Sequence, residues 1–392
     1  MSGTNDTLIE MLETNRDEMV DLTRDLVAIP TENPPGTHYH DALELLRSRL
    51  DALGFDDTHI DGDCIVSFAG RGPRTLYFSG HYDVVPAQNA SQFQPVVHGA
   101  NLFGRGSSDM KSGLAAMIYA AKALRDSSDF HGRVGMVFVA DEETAGPRGS
   151  RALAASDLLG AGGIGMLTPE PTGGVVWNAC RGAITVRVTV KGKSAHVGQQ
   201  YQGVNAFEGM LDVARSLQQW KQEVEARTTA FRIAPEAARR SILMLGGRAE
   251  GGANFNVVPE RCSFTVDRRI NPEEDFADEK QRLLDIIESA RARGIDLEVE
   301  ILQEGRSCGT DENSAVGQAL ARGIEQITGK PAPFEMCPGL LEIRFYAERG
   351  IPAFAYGPGL LTVSHGPNEF VPIDRIVQCA QIYALTAIKL LK

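Results

Sequence analysis

The sequence predicts an α/β protein with a largely parallel sheet, interrupted by an inserted α+β domain. Towards both ends of the chain, short apolar runs typical of buried strands alternate with helical segments, which is the order of a parallel α/β sheet. In the middle, Ile184, Val186 and Val188 alternate with polar residues, the period-two pattern of a strand with one face in water. A chain of 392 residues also exceeds the usual size of a single domain.

The elements of the two outer parts follow from apolar spacing and turn residues. Apolar residues at helical spacing predict a surface helix from Thr7 to Ala28 and a second helix from Tyr39 to Leu53. Four short apolar runs predict buried strands, at Thr75 to Ser79, Val134 to Ala140, Gly163 to Leu167 and Pro352 to Tyr356. A helix from Ser112 to Arg125 is predicted between the first two of these strands.

The middle of the chain predicts a small α+β sandwich. After the alternating strand we expect a helix, two strands, a helix and a final strand, near Val204 to Ala226, Ile242 to Leu245, Cys262 to Arg268, Glu273 to Arg293 and Asp296 to Leu302. This is the ferredoxin-like order. We place the insertion at 181–303, between outer segments 1–180 and 304–392 of one larger domain.

Composition and charge exclude several classes of protein. The chain has 39 Lys and Arg against 51 Asp and Glu, and a net charge of −12 disfavours nucleic acids and anionic membranes as partners. The six cysteines form no CxxC pair, which is typical of a reducing compartment. The sequence shows neither a secretory signal nor a long apolar stretch. We therefore expect a cytoplasmic protein without a membrane span.

Polar side chains follow each of the four predicted buried strands. They are His81 and Asp83, Glu142 and Glu143, Glu170, and His365, and Asp109 joins them from a Gly-rich loop before the helix at Ser112. The carboxyl ends of parallel strands share one edge of the sheet, so these residues can converge on one crevice.

Imidazoles and buried carboxylates in one crevice require a neutralising cation. The set is large enough for two ions that share one carboxylate, and mixed His and carboxylate ligation suits Zn, Co or Mn. Each motif alone has an ordinary explanation. DEE is usually a solvated charge run, and GRGSSDMKSG could be a turn with a helix cap. Their joint position at the strand ends favours the metal site.

Seven blocks of the sequence together resemble one metallohydrolase family. They are GHYDVVP, GRGSSDMKSG, DEETAGPRGS, PEPT, GANFNVVP, DRRINPEE and YGPG with SHGPNE. The family contains acetylornithine deacetylase, succinyl-diaminopimelate desuccinylase, aminoacylase and glutamate carboxypeptidase, which are dinuclear zinc enzymes. The resemblance covers essentially the whole chain, and it implies that the inserted domain is a lid through which two subunits form a homodimer.

The resemblance also implies residue roles in the outer domain. One metal ion would be held by His81, Asp109 and Glu170, and the second by Asp109, Glu143 and His365. Asp83 would orient the His81 imidazole. Glu142 would be the general base that takes a proton from the attacking water and gives it to the departing amine. A cis peptide bond between Asp109 and Met110 is implied as well.

Further roles fall on the insertion and on the segment Gly339 to Arg344. His196 would reach the site of a partner subunit and stabilise the oxyanion, and Arg269 would bind a substrate carboxylate, with Arg268 as its rival by strand register. Asn256 and Arg344 are further candidates for substrate binding. Leu340 and Leu341 occupy positions at which related deacylases often have small hydroxyl residues. Their apolar side chains would leave an acidic acyl group without hydrogen-bond partners, which disfavours such a substrate. Alternatively, both leucines only pack in the core.

Three functions remain open at this point. The first is hydrolysis of the amide bond of an N-acyl amino acid by water that two metal ions activate. The second is cleavage of a dipeptide or of a C-terminal peptide bond by the same chemistry. The third is a metal-binding scaffold without catalysis, which the presence of all ligands and of the base disfavours.

Overall fold

The computed structural model describes residues 2–392, and these residues form two compact units. The first unit runs up to Asn178 and includes Gly309–Glu335 and Glu342–Lys392, whereas the second comprises Ala179–Cys308 and Met336–Leu341. The predicted insertion, 181–303, falls inside the second unit. Its function as a dimerisation lid stays a prediction.

The first unit contains most of the helices. They are α1 (Ser2–Thr14), α2 (Arg16–Val27), α3 (Tyr39–Ala52), α4 (Ser112–Asp126), α5 (Ser150–Leu153), α8 (Ala315–Thr328), α9 (Ile343–Ala347) and α10 (Ile373–Leu391). The predicted single helix over Thr7 to Ala28 is wrong, because the segment forms α1 and α2 with a break at Asn15. Asn15 is non-helical (φ −89°, ψ 13°), as expected of a residue type that caps helices more readily than it continues them.

The strands of the first unit form one large sheet and one small sheet. The large sheet contains β1 (Asp57–Asp61), β2 (Cys64–Gly70), β3 (Thr75–His81), β6 (Arg133–Val139), β7 (Gly163–Thr168) and β15 (Ala353–Ala355). The small sheet consists of β4 (Val96–His98), β5 (Asn101–Phe103) and β16 (Phe370–Pro372). Three further strands of the large sheet lie where the chain passes from one unit to the other: β8 (Val176–Cys180), β13 (Cys308–Gly309) and β14 (Phe334–Cys337).

The large sheet is parallel at its centre. Strand β3 runs parallel to β6 and to β7, and β15 runs parallel to β7, so four neighbouring strands share one direction in the order β6, β3, β7, β15. Strands β1 and β2 extend this sheet in antiparallel fashion. The largely parallel α/β sheet predicted from the sequence is thus confirmed.

Helix α4 packs inside the core of the first unit. Its residues from Ser112 to Ala121 are all buried, as expected of a helix that is apolar on every side. Together with α10 and the central strands, it forms the main hydrophobic core. Because α4 begins directly after Asp109, this core fixes the start of the helix and the loop before it.

The second unit is a ferredoxin-like sandwich. Its elements are β9 (Gly182–Lys191), α6 (Ala206–Glu225), β10 (Ile242–Gly251), β11 (Arg261–Ile270), α7 (Phe276–Ala292) and β12 (Leu297–Gly305). The antiparallel sheet has the order β10, β11, β9, β12. The alternating residues Ile184, Val186 and Val188 are fully buried and pack with residues of α6 and α7.

None of the helices within residues 2–392 combines the length and the apolarity needed to cross a membrane.

Candidate metal centre

Four parallel strands bring the predicted ligands to one edge of the large sheet. His81 is the last residue of β3, Glu142 and Glu143 follow β6, and Glu170 follows β7. His365 lies in the segment beyond β15. The strands point in one direction, so their carboxyl ends open at the same edge.

Asp109 lies between two imidazoles. Its Oδ1 is 3.3 Å from Nε2 of His81, and its Oδ2 is 3.2 Å from Nε2 of His365. The same His365 nitrogen is 3.3 Å from Oε2 of Glu143. The peptide bond between Asp109 and Met110 is cis, as predicted. Asp109 therefore has the geometry of a carboxylate that can serve two cations at once.

The hydrogen bonding of His81 shows which of its nitrogens can bind a cation. Nδ1 lies 3.0 Å from the backbone carbonyl of Asp83, and a carbonyl oxygen can only accept, so Nδ1 carries the hydrogen. In the neutral ring, Nε2 then presents a lone pair towards the Asp109 carboxylate. Two acceptors that face each other require a cation or a proton between them, and the site therefore fits a metal ion.

The Glu170 carboxylate gives a second indication of a missing positive charge. Its Oε1 atom is buried, and among the described residues no hydrogen-bond partner reaches it. One oxygen or nitrogen atom each of His81, Asp109 and Glu143 also lies within 4.8 Å of the others. Nitrogen and carboxylate oxygen ligands at such short range suit zinc, cobalt or manganese.

The pKa values of Glu170, His365 and His81 are all raised, which indicates the same shortage of positive charge in the pocket. Burial, reinforced by repulsion from Asp109, raises the pKa of Glu170 to about 8. The hydrogen bonds to Asp109 and Glu143 raise the pKa of His365 to about 10. Burial alone would lower the pKa of His81, but Asp109 and Asp83 outweigh it and raise that pKa well above its ordinary value. Where no cation is bound, these shifts favour protons on Glu170 and on the imidazoles of His81 and His365.

Asp83 lies beside the His81 imidazole and also holds the loop of Glu142 and Glu143. Its carboxylate is 3.5 Å from the ring nitrogen, farther than its own carbonyl oxygen. The carboxylate oxygens instead accept hydrogen bonds from the backbone N–H groups of Glu142 and Glu143, both at 3.2 Å. Asp83 therefore fixes the loop that carries the base and a predicted metal ligand, in addition to its predicted contact with His81.

The Glu142 loop begins with a tight backbone turn at Asp141. Asp141 has a left-handed φ of 64°, which is uncommon for residues other than glycine. Its side chain fills the turn so closely that a Cβ on Gly146 would lie 2.0 Å from Oδ2 of Asp141. Asn33 connects this loop to the segment after β3, because its Nδ2 donates to Asp141 at 3.2 Å and to Asp83 at 2.9 Å.

Glu369 anchors the loop that carries Asp109, and sequence reasoning missed it. It is only 2% exposed, and its Oε1 accepts hydrogen bonds from the backbone N–H groups of Gly106, Ser108 and Asp109, each at 3.0 Å. Its other oxygen pairs with the buried guanidinium of Arg105. The block SHGPNE contains this residue, but a glutamate next to an asparagine resembles a solvated loop unless the contacts are known.

Lys111 holds the other side of the same loop. Its buried Nζ donates to the backbone carbonyls of Leu26 and Ile29, at 2.9 and 2.8 Å, at the end of α2. Burial lowers the pKa of this amine to about 7. The Asp109 loop is therefore attached both to the C-terminal part of the chain and to an N-terminal helix.

Arg344 and Glu342 lie side by side in the interior of the first unit. Arg344 is 3% exposed, its guanidinium lies over the Phe345 ring, and its Nη2 is 3.6 Å from Oε1 of Glu342. The predicted binding of substrate by Arg344 gains no support from this buried position. Glu342 was not predicted, although its Oε2 is buried without a hydrogen-bond partner among the described residues.

His196 lies on the surface of the second unit, next to the segment that carries Asn256. His196 is exposed, and its Nδ1 accepts a hydrogen bond from the Gly198 N–H at 3.2 Å. The N–H of Val197 donates to the carbonyl of Asn256, so His196 and Asn256 are on neighbouring segments. In the neutral His196 ring, the hydrogen is therefore on Nε2, which makes that nitrogen a donor.

Strand register separates the two candidate arginines. The Arg268 side chain is 0% exposed and pairs with Glu274 and Glu279, whereas the Arg269 side chain is 27% exposed and lies 2.9 Å from Asp267. Only Arg269 thus has a side chain that remains partly open to solvent.

The two leucines of the specificity prediction differ in exposure. Leu341 is buried at 5% exposure, so it packs in the second unit, whereas Leu340 is partly exposed. Any effect on substrate choice therefore rests on Leu340.

Comparison with known proteins identifies the family. The family model described as Peptidase family M20/M25/M40 matches residues 77–389. A succinyl-diaminopimelate desuccinylase of Thioalkalivibrio sulfidiphilus is 28% identical over 359 residues, 87% of this chain and 91% of that protein.

Two solved structures share the fold at low sequence identity. The dipeptidase Dug1p from Saccharomyces cerevisiae has a TM-score of 0.79 and 16% identity, with 99% of each chain covered. An M20 family metallo-carboxypeptidase from Sulfolobus solfataricus has a TM-score of 0.78 and 17% identity, with 95% of this chain and 100% of that chain covered. The family match extends over most of the chain and includes every residue of the cluster around Asp109. This protein therefore belongs to peptidase family M20/M25/M40 and is a metal-dependent hydrolase of amide bonds.

Proposed function

We propose that this protein hydrolyses the amide bond of an N-acyl amino acid, with Glu142 as the general base beside two divalent cations. One observation chiefly supports the proposal. Asp109 lies between the imidazoles of His81 and His365, and a Glu142 oxygen is 3.9 Å from the same His81 nitrogen that faces Asp109.

The two cations would share Asp109. We assign His81 and Glu170 to one cation and Glu143 and His365 to the other. The contacts of Asp109 with His81 and His365, and of His365 with Glu143, support this division, and the buried Glu170 Oε1, which has no hydrogen-bond partner among the described residues, supports a role for Glu170 as a ligand. Bound by these residues, the cations would supply the positive charge that acidifies water and offsets the charge on the carbonyl oxygen. We propose zinc, with cobalt or manganese as alternatives, because the ligands are imidazole nitrogens and carboxylate oxygens.

Glu142 would move the proton. It would accept one from the attacking water and deliver it to the amine nitrogen as the amide bond breaks. Burial raises the pKa of Glu142 well above the ordinary value for glutamate, which favours the protonated form that would deliver the proton to the amine. The backbone contacts of Asp83 support the role, since they fix the Glu142 main chain.

The second unit would complete the site and form a homodimer. An Nε2 hydrogen on His196 suits donation to an oxyanion in a partner subunit, while Arg269 and Asn256 would bind the substrate carboxylate. An exposed apolar strip on and before α6, formed by Val204, Phe207 and Leu211, supports association through this unit.

We also propose that the protein is located in the cytoplasm. Its six cysteines are all present as thiols, as is typical of a reducing compartment.

The substrate has two candidates. The curated relative is named a desuccinylase, which supports an N-acyl amino acid. The solved structures named dipeptidase and carboxypeptidase support a peptide as the alternative. Within the first class, the Leu340 side chain cannot donate a hydrogen bond to an acidic acyl group. A scaffold without catalysis is the third possibility, and it predicts no turnover of either class.

Replacing Glu142 by glutamine is expected to abolish most turnover without loss of metal. Glutamine keeps the shape but cannot accept the proton, and loss of a general base costs about 100-fold to 10,000-fold in rate. The matched control is the neighbouring Glu143→Gln, which removes a predicted ligand and should lower metal content instead. Metal analysis and kcat measured on both variants test the assignment, and near wild-type kcat in Glu142→Gln would remove Glu142 from the mechanism.

The acyl preference should follow from Leu340. We expect kcat/KM for N-acetyl and N-benzoyl derivatives of one amino acid to exceed that for the N-succinyl derivative by about tenfold or more, because an unpaired buried carboxylate costs roughly 1 to 3 kcal/mol. Leu340→Ser should narrow this ratio, whereas Leu341→Val should not. A clear preference of the wild type for the succinyl derivative would contradict the argument, and a preference for dipeptides would favour the alternative function.

Mixed dimers test whether His196 acts across subunits. His196→Ala and Glu142→Gln subunits should each be inactive, but a hybrid dimer contains one site with both residues intact. Refolding an equal mixture should restore part of the wild-type activity. If hybrids form, as shown by mass spectrometry with differently tagged subunits, and yet no activity returns, His196 does not act in the partner's site.

A further inference from the structure

Two cysteine thiols of the second unit lie in contact. The Sγ atoms of Cys180 and Cys308 are 3.5 Å apart, although the residues are separated by 128 positions in the chain. Cys180 ends β8 and Cys308 begins β13, and these two strands are hydrogen-bonded neighbours. The contact between the two thiols therefore results from the pairing of β8 with β13.

The register of the second unit places the two cysteines opposite each other. Ala183 of β9 pairs with Gly305 of β12 in antiparallel register. The two chain segments continue beyond β9 and β12, and three positions farther along each of them lie Cys180, on β8, and Cys308, on the neighbouring β13. Directly opposed residues of antiparallel strands have Cα atoms about 4.5 to 5.5 Å apart, which is within the range of disulfide-bonded cysteines.

Gly182 allows the close approach of these two chain segments. A Cβ atom at this position would lie 2.7 Å from the backbone nitrogen of Ser307 and 2.8 Å from the carbonyl oxygen of Gly305. A larger residue at position 182 would collide with the backbone of Gly305 and Ser307 and would push the two segments apart. The contact between the thiols is thus supported by the backbone on both sides.

The two thiols also differ in access to solvent. Cys308 is partly exposed, whereas Cys180 is buried. The other four cysteines are also buried. Burial raises the thiol pKa of Cys64, to about 12, and also that of Cys262 and Cys379. A small oxidant in solution therefore meets Cys308 before Cys180, whose Sγ lies 3.5 Å from that of Cys308.

We propose that Cys180 and Cys308 are a thiol modification site that a low-molecular-weight disulfide, such as glutathione disulfide, converts into an intramolecular disulfide. The Cys308 thiolate attacks glutathione disulfide, which forms a mixed disulfide and releases one glutathione thiolate. The Cys180 thiolate then attacks the Cys308 sulfur and releases the second glutathione. The protein loses two electrons and two protons, and one glutathione disulfide becomes two glutathione molecules.

The bond would join the two ends of one compact unit. The long segment of this unit begins at Ala179 and ends at Cys308, so the cross-link would close nearly all of it into a covalent ring. A cross-link over a long loop restricts the unfolded chain and stabilises the folded unit. The inference is independent of the proposed hydrolase activity, since it needs neither metal nor substrate.

The test uses the full-length protein incubated with glutathione disulfide, followed by thiol blocking, digestion without reductant and mass spectrometry. We expect a peptide that links Cys180 to Cys308, the loss of two of the six thiols, and a thermal midpoint several degrees higher that returns to its first value on reduction. Absence of the linked peptide from the folded wild type would overturn the proposal.

Single variants resolve the order of the two steps. Cys180→Ser should stop at the mixed disulfide, with one glutathione on Cys308, whereas Cys308→Ser should take up no glutathione at this site. Cys337→Ser is the matched control, because Cys337 lies in the same unit, and it should behave like the wild type. Loss of the linked peptide in folded Cys337→Ser, or a bond from Cys337 to either residue, would contradict the assignment.

Discussion

The rest of this structure depends on one electrostatic constraint, which is the burial of several carboxylates at the carboxyl edge of a parallel sheet. The largely buried carboxylates of Asp109, Glu143 and Glu170 cannot all be ionised without positive charge nearby. The lone pair of His81 faces Asp109, and a Glu170 oxygen has no partner among the described residues. Two cations that share Asp109, as proposed above, would satisfy both conditions and would supply the charge needed to activate water.

The scaffold serves to hold these charges at short range against their mutual repulsion. The direction of the central strands brings the ligands together, and three buried polar groups then fix the loops. Glu369 accepts three backbone N–H bonds from the Asp109 loop, Lys111 ties that loop to α2, and Asp83 holds the Glu142 loop. None of these three needs to touch substrate, yet each determines where a reacting group lies.

Sequence reasoning found the residues that stand at strand ends and missed those that act through the backbone. His81, Glu143 and Glu170 were identifiable because buried strands can be recognised from apolar runs, and parallel strands open at one edge. Glu369 and Asn33 were not, because their roles consist of hydrogen bonds to distant main-chain atoms that leave no periodic pattern. The break at Asn15 and the burial of Arg344 depend on tertiary packing in the same way.

The most direct test of the account is the number of cations that the protein binds. Metal-free protein is dialysed to equilibrium against a small excess of zinc, and bound metal is counted by mass spectrometry. The account predicts two zinc ions per chain for the wild type and one for a folded His365→Ala variant, which keeps His81, Asp109 and Glu170. A single bound ion in the wild type, or two in the His365→Ala variant, would contradict the shared carboxylate on which the mechanism rests.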